Sequence, residues 1–170
     1  MAGERHARWL WLSFAVLAAD RVSKFAIERY TSETFHHVLV PGFITLVHSR
    51  NPGIAFGMFA DSQSSWLTGL LIAAAAVVIA LLVWVLSTGR AGGGRSDAGV
   101  ALILGGAAGN LTDRLMHGGV TDFFELHAGS FHWPAFNVAD SAIAIGAVLV
   151  LLDLLLDRRR PAAHASDSEV

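Results

Sequence analysis

The feature that most constrains this chain is an apolar run over residues 66–86 that contains no charged side chain. A helix needs roughly 20 mostly apolar residues to cross the hydrocarbon core of a bilayer, and an uncharged run of that length is the usual sign of a span. Three further stretches, 9–27, 98–115 and 138–156, are also long and apolar enough to be read as spans, although each carries ionisable residues. The whole chain agrees with this reading: 54% of its residues are hydrophobic and only 15% are charged, too apolar for an ordinary soluble domain. The expected fold is mostly α, a four-transmembrane-helix bundle forming one membrane-embedded domain over residues 1–160. The polar, small-residue tail, 161–170, is expected to be disordered and cytoplasmic.

Basic residues cluster at Arg5 and Arg8, at Arg90 and Arg95, and at Arg158, Arg159 and Arg160. With four spans these clusters share one side of the membrane, which the positive-inside rule makes cytoplasmic for both termini. The five tryptophans, Trp9, Trp11, Trp66, Trp84 and Trp133, fall at or near span ends, where the headgroup region suits their rings. The first apolar stretch also resembles a signal peptide, but Ala18-Ala19 runs straight into Asp20-Arg21 without an A-x-A site, so an uncleaved span is expected. Segments 28–65 and 118–137 then face outward. The first reads as a β-hairpin, with a Pro41-Gly42 turn between Val38-Leu39-Val40 and residues 43–47, a small extracytoplasmic sheet or cradle too small to cross a bilayer. The second carries Phe123, Phe124, Phe131, Trp133 and Phe136 and is expected to skim the interface as a short helix or loop.

Several chemistries are excluded or disfavoured. A net charge of -2 provides no basic surface for nucleic acid. The absence of cysteine rules out a thiol nucleophile and thiolate metal sites. The eight histidines form no H-E-x-x-H, which disfavours a zinc protease, while His117, His127 and His132 share the outer region with two aspartates and leave a metal there as a lesser alternative. There is no G-x-S-x-G, and Ser23 lies on a different helical face from Lys24, so a serine mechanism has little support.

Ionisable groups inside a span cost roughly 2.5 to 3.5 kcal/mol each on insertion scales, so each one needs a reason. Asp20 and Lys24 are four apart on one helix and are read as a structural ion pair. Asn110 and Asp113 share a face of the third span, next to Arg114, whose planar fork suits a carboxylate or carbonyl; Gly105 and Gly109 form a G-x-x-x-G of the kind that lets helices pack closely. Asp122 lies between Thr121 and Phe123 close to the membrane surface, where burial would raise its pKa. Asp140 opens the fourth span, where the helix N-terminus favours a negative charge. Span parity brings both to the outer face. Two carboxyls in contrasting settings can divide acid and base roles between them. From spacing alone, a solvated loop aspartate and a plain helix-terminal charge stand as alternatives.

These residues fall into five ordered motifs: D-x-x-x-K at Asp20 and Lys24, N-x-G-x-A-F over 51–56, G-G-A-x-G-N-x-x-D-R over 105–114, V-x-D-F over 120–123, and F-N-x-A-D-S over 136–141. In this order the chain resembles the bacterial lipoprotein signal peptidases, also called signal peptidase II. The resemblance implies a four-span aspartyl endopeptidase of the bacterial cytoplasmic membrane with its active site at the outer face. Its substrates would be prolipoproteins already carrying a diacylglyceryl group, cut just before the lipidated cysteine. By motif position, Asp122 and Asp140 are the implied catalytic dyad, and Asn51, Gly53, Asn110, Asp113, Arg114 and Asn137 hold the substrate or the dyad. Asp113 ranks as support because Arg114 beside it offers local neutralisation. No cofactor or metal is implied; membrane lipid is a partner, and the chain is expected to act as a monomer. Thr121 departs from the aliphatic residue usual at its position. The rival from another class is a non-enzymatic membrane scaffold or small transporter subunit. A transporter would place its charges near the midplane, whereas here they gather at one face.

Overall fold

The computed structural model describes residues 2–53 and 65–157. In chain order the elements are α1 (Ala2–Tyr30), β1 (His36–Val40), β2 (Ile44–Asn51), α2 (Ser65–Ser87), α3 (Gly94–His117), β3 (Val120–Ala128), β4 (Phe131–Phe136) and α4 (Val138–Asp157). Residues 54–56 of the N-x-G-x-A-F motif, the basic cluster at 158–160 and the tail at 161–170 lie outside the described residues.

The fold is mostly helical with one small antiparallel sheet. By length and composition, two helices can cross a bilayer: Trp66–Ser87, with mean hydropathy 2.9, and Val138–Leu156, with 2.2. Neither is the core of a soluble domain, for only 6% and 17% of their most apolar windows are buried. Leu70, Val77, Leu81 and Trp84 of α2 and Ile145, Val148, Leu151 and Leu155 of α4 point outward. An apolar surface this extensive suits hydrocarbon, not water. Helices α1 and α3 carry charged residues inside their lengths and turn them inward, where Asp20, Lys24 and Asp113 are fully buried.

Helix α3 packs against all three other helices, and its glycines explain how. A Cβ at Gly105 would come within 2.5 Å of the Ser13 carbonyl of α1, and one at Gly109 would collide with the Asp20 carboxyl. Gly105 and Gly109, four apart, therefore form the face that receives α1. Gly99 and Gly106, seven apart, receive α4: a Cβ at Gly99 would lie 2.6 Å from the Gly146 carbonyl and one at Gly106 2.5 Å from the Ala139 carbonyl. Away from the sheet, Leu86, Val100, Ala101 and Leu104 form the apolar core, and Ser13 Oγ donates to the Ala101 carbonyl at 2.9 Å.

The sheet has strand order β1-β2-β3-β4, antiparallel throughout. At the Pro41-Gly42 turn Phe43 N–H donates to the Val40 carbonyl at 3.0 Å and Gly42 has φ 71°, the positive φ that a type II turn requires after proline. The structure corrects the expectation for segment 118–137. It is neither a helix nor an interfacial loop, but a second hairpin that continues the sheet, with Ile44 opposite Leu126 and Ser49 opposite Asp122. The run Val120 to His127 is rich in strand-favouring side chains, and pairing with β2 satisfies backbone groups that a lone loop at the interface would leave open. Pro134 is tolerated because β4 is an edge strand and the β3–β4 register shifts beside it, between Phe124–Phe136 and Leu126–Trp133. Helix α3 ends on Gly118, which has φ 73° and donates its N–H to the Arg114 carbonyl at 3.0 Å, so the chain enters β3 two residues later.

Candidate active site

The site rests on a buried polar layer between α1, α3 and the start of α4. Lys24 Nζ lies 2.9 Å from Asp20 Oδ2, 2.9 Å from Asp113 Oδ2 and 2.9 Å from Asn110 Oδ1, and Lys24, Asp20 and Asp113 have no exposed side-chain surface. The other Asp113 oxygen pairs with Arg21. Asp113 does not turn to its neighbour Arg114, as the sequence suggested, because residues adjacent on a helix point about 100° apart. Asp20 Oδ1 accepts the Ala139 N–H at 2.9 Å, satisfying one of the open donors at the α4 N-terminus, and Asp113 Oδ2 accepts the Thr121 N–H at 3.1 Å. One cluster thus ties α1 and α3 to the start of α4 and to β3.

The two candidate catalytic carboxyls lie above this layer and are joined through one residue. Asn137 is the N-cap of α4: its Oδ1 accepts the Asp140 N–H at 2.9 Å, and Asp140 Oδ2 accepts the Asn137 N–H at 3.2 Å. This is the reciprocal geometry of a capping box, with Asp140 at the third helical position. The Asn137 amide nitrogen, still free to donate, does so to Asp122 Oδ1 at 2.7 Å. Asn110 Nδ2 donates to the other Asp140 oxygen at 2.9 Å, so Asn110 links Lys24 to Asp140. Asn51 closes the group: its Oδ1 accepts the Gly53 N–H at 3.0 Å and its Nδ2 reaches Asp122 Oδ2 at 3.4 Å. Arg114 spreads its fork over the carbonyls of Gly53, at 3.2 Å, and Asn110, at 3.3 Å, while its Nε is buried without a partner among the described residues.

Asp122 is 3% exposed, and burial, followed by the charge of Asp140, pushes its carboxyl up to about 7; hydrogen bonds from Asn137 and Asn51 and the charge of Lys24 pull the other way. A carboxyl held at that value retains its proton to near neutrality. Asp122 and Asp140 both line a cavity of about 650 Å³, together with Asn110 and Arg114. Opposite this polar floor, Leu126, Trp133, Phe136 and Ile143 supply an apolar wall. A volume of this size, mostly apolar with a few convergent polar groups, suits a ligand that brings both a polar bond and hydrocarbon.

All eight residues singled out as dyad or support, Asn51, Gly53, Asn110, Asp113, Arg114, Asp122, Asn137 and Asp140, lie in or directly beneath this site. Asp20 and Lys24, set apart as an ion pair, are part of its foundation. The sequence reading missed Arg21, which holds Asp113, and Glu28, which accepts the Thr121 hydroxyl at 2.6 Å. A signal for both was present: Arg21, Lys24 and Glu28 recur at helical spacing along one stripe of α1. The strand β4 wall was missed with the strand itself.

The family model described as signal peptidase (SPase) II matches residues 12–156. Among curated relatives, the lipoprotein signal peptidase of Solibacter usitatus is 43% identical over 159 residues, covering 91% of this chain and 96% of that one. That of Haemophilus ducreyi is 37% identical over 161 residues, covering 94% and 98%. A solved bacterial membrane enzyme superposes with a TM-score of 0.81 over 96% of this chain and 95% of its own at 23% identity, a likeness of fold. With a match across most of its length to both the family model and these relatives, the chain belongs to the signal peptidase II family of aspartic peptidases.

Proposed function

We propose that this chain is a four-span endopeptidase of the bacterial cytoplasmic membrane that cleaves diacylglyceryl-modified prolipoproteins just before the lipidated cysteine, with Asp122 and Asp140 as the catalytic dyad. The observation that carries this reading is Asn137, whose single side chain contacts both aspartates where the polar floor of the cavity meets an apolar wall. In this reading all four helices span, both termini are cytoplasmic, the sheet lies on the outer face, and the acyl chains of the substrate remain in lipid beside the cavity.

The dyad works with one proton shared between two carboxyls. Asp122, with its raised pKa, holds that proton, and Asp140, which accepts N–H groups from Asn110 and from the Asn137 backbone, is the carboxylate. A water between them gives a proton to Asp140 as its oxygen attacks the scissile carbonyl, while Asp122 protonates the carbonyl oxygen. The tetrahedral diol then collapses: Asp140 passes its proton to the departing amine nitrogen, the C–N bond breaks, and one diol hydroxyl returns its proton to Asp122. Arg114, anchored to the Gly53 and Asn110 carbonyls, holds the Asn51–Gly53 segment against the dyad.

Purified Asp122→Asn and Asp140→Asn variants are expected to lose about 10²- to 10⁴-fold or more in cleavage of a lipidated prolipoprotein, the range for removing a positioned acid or base. Cleavage at the normal rate by either variant would sink the dyad assignment. The topology is open to a direct check because the chain has no cysteine. Glu33→Cys should react with an impermeant thiol reagent added outside the cell and Arg95→Cys should not; the reverse pattern would invert the proposed orientation.

A further inference from the structure

We propose that Glu125, His127 and His132 form a binding site for a divalent transition-metal cation of the zinc class, on the back of the hairpin that walls the cavity. Glu125 and His127 are two apart on β3 and so share a face, and His132 is the cross-strand partner of His127 on β4. Their ligand atoms all lie within 4.8 Å of one another. His127 Nε2 is 3.7 Å and His132 Nε2 3.4 Å from the same Glu125 oxygen, Oε2. Both separations exceed the roughly 2.7–3.2 Å of a hydrogen bond. They match instead the edge of about 3.4 Å between ligands that each sit near 2.1 Å from a tetrahedral zinc.

His127 Nε2 is shielded from solvent and has no hydrogen-bond partner among the described residues. Its ring stands edge-on to that of His132, with centroids 4.6 Å apart. Two imidazolium ions at that separation would repel each other, whereas two neutral imidazoles converging on one carboxylate are a ligand set. The other cluster of ligand-type side chains, Glu28, Asp113 and His117, is different. There Asp113 is already held by Lys24, Arg21 and the Thr121 N–H, and Glu28 by the Thr121 hydroxyl. Both carboxylates of that cluster are engaged by other groups, although its His117 Nδ1, like His127 Nε2, has no hydrogen-bond partner among the described residues.

The position of the site gives it a consequence. Leu126 and Trp133, one residue from His127 and His132 and paired with each other, face the opposite way and line the cavity. A cation held by the histidines would fasten the wall from behind, joining β3 to β4 without entering the cavity or touching either aspartate.

The test uses the full-length, tag-free chain in nanodiscs titrated with Co²⁺, followed by its visible d–d absorption and by displacement with Zn²⁺. One saturable equivalent with the band pattern of a tetrahedral or five-coordinate N/O site is expected. Glu125→Gln, His127→Ala and His132→Gln should each weaken binding by more than the roughly 10- to 100-fold that loss of a ligand's outer partner costs. His132 is half exposed, so His132→Gln keeps the fold and decides the matter if His127→Ala does not. A His36→Ala/His37→Ala double variant should bind as the wild type does. Absence of saturable binding, binding unchanged in His132→Gln, or binding lost only in the His36/His37 variant would overturn the proposal.

Discussion

Asn137→Ala should move the alkaline limb of the pH–rate profile upward. The dyad is competent with one proton, and that proton leaves as pH rises through the upper value of the pair, which the setting of Asp122 places at about 7. Asn137 is the main donor to the Asp122 carboxylate, at 2.7 Å, since Asn51 reaches it only at 3.4 Å. A hydrogen bond to an ionised group contributes about 1.5–3 kcal/mol. At 1.36 kcal/mol per pKa unit, its loss raises the value by roughly one to two units. The sign follows because the bond favours the ionised form, and removing it leaves the protonated form longer lived. The assay is kcat/KM for a fluorogenic lipopeptide in detergent from pH 5 to 10, read as the position of the limb and not its height. Asn137→Ala also removes the α4 cap, at about 1 kcal/mol of stability. Asn137→Ser separates the two effects: a hydroxyl can accept the Asp140 N–H but is too short to bridge to Asp122 as well, so the limb should shift with little change in melting temperature. A limb that stays in place, or moves toward acid, in both variants would refute the assignment of the shared proton to Asp122.

Three further outcomes follow from the same contacts. The folded chain keeps the Asp122 proton to about 7, against an ordinary value of 3.8, so ionising this carboxyl costs stability as pH rises through that window. Asp122→Asn, which cannot ionise, should therefore melt above the wild type by a margin that widens from about pH 4 to 7 and then levels, as thermal scans across pH would show; a constant margin would contradict it. Gly105→Ala drives a Cβ to 2.5 Å from the Ser13 carbonyl and should cost about 1–3 kcal/mol by overpacking. Gly69→Ala on α2, where nothing lies within 4 Å, should instead stabilise by roughly 0.4–1 kcal/mol in the same unfolding assay. Lys24→Met strips the cation from two buried carboxylates and should cost about 3–5 kcal/mol. Adding Asp20→Asn should recover part of that loss, and a double variant less stable than Lys24→Met alone would argue against the pairing.

The local part of the architecture was legible because its causes are local. The uncharged run of α2, the four-residue spacing of Asp20 and Lys24, and the Pro41-Gly42 turn each state their structure within a few residues. The pairing of β2 with β3 could not be read this way. It joins Ile44 to Leu126, far apart in the chain, and the aromatic content of 118–137 suggested an interfacial segment. The strand-favouring side chains from Val120 to Leu126 were the available evidence for a strand. In the site, the ordered motifs singled out residues that the fold brings together around one cavity, yet adjacency misled at Asp113. The next residue in sequence, Arg114, drew attention as its partner, whereas the cations that reach it come from α1, more than eighty positions away. The capping box was present in the spacing of Asn137 and Asp140. What the spacing could not convey is that the same asparagine also reaches Asp122, because that contact exists only once β3 lies beside the start of α4.

In the proposed mechanism the two aspartates share one proton, and the groups around them bear on where it sits. In the foundation the formal charges cancel: Asp20 and Asp113 face Lys24 and Arg21. That layer transmits hydrogen bonds upward, through Asn110 to Asp140 and through Thr121 to the strand that carries Asp122, but it has no cation in excess to neutralise a second carboxylate. The residues that line the cavity with these two aspartates include two cations, Arg50 and Arg114. What raises Asp122 is first its burial and then the charge of Asp140, which together outweigh the hydrogen bonds from Asn137 and Asn51 and the charge of Lys24. Had Lys24 been directed to Asp122 instead of Asp20 and Asp113, its charge would hold that carboxyl lower and make it less able to protonate a carbonyl oxygen. In the proposed mechanism the buried salt bridges of α1 and α3 would engage their cations away from the dyad, with Asp20 and Asp113 as positioning residues for the proton as well as for the fold.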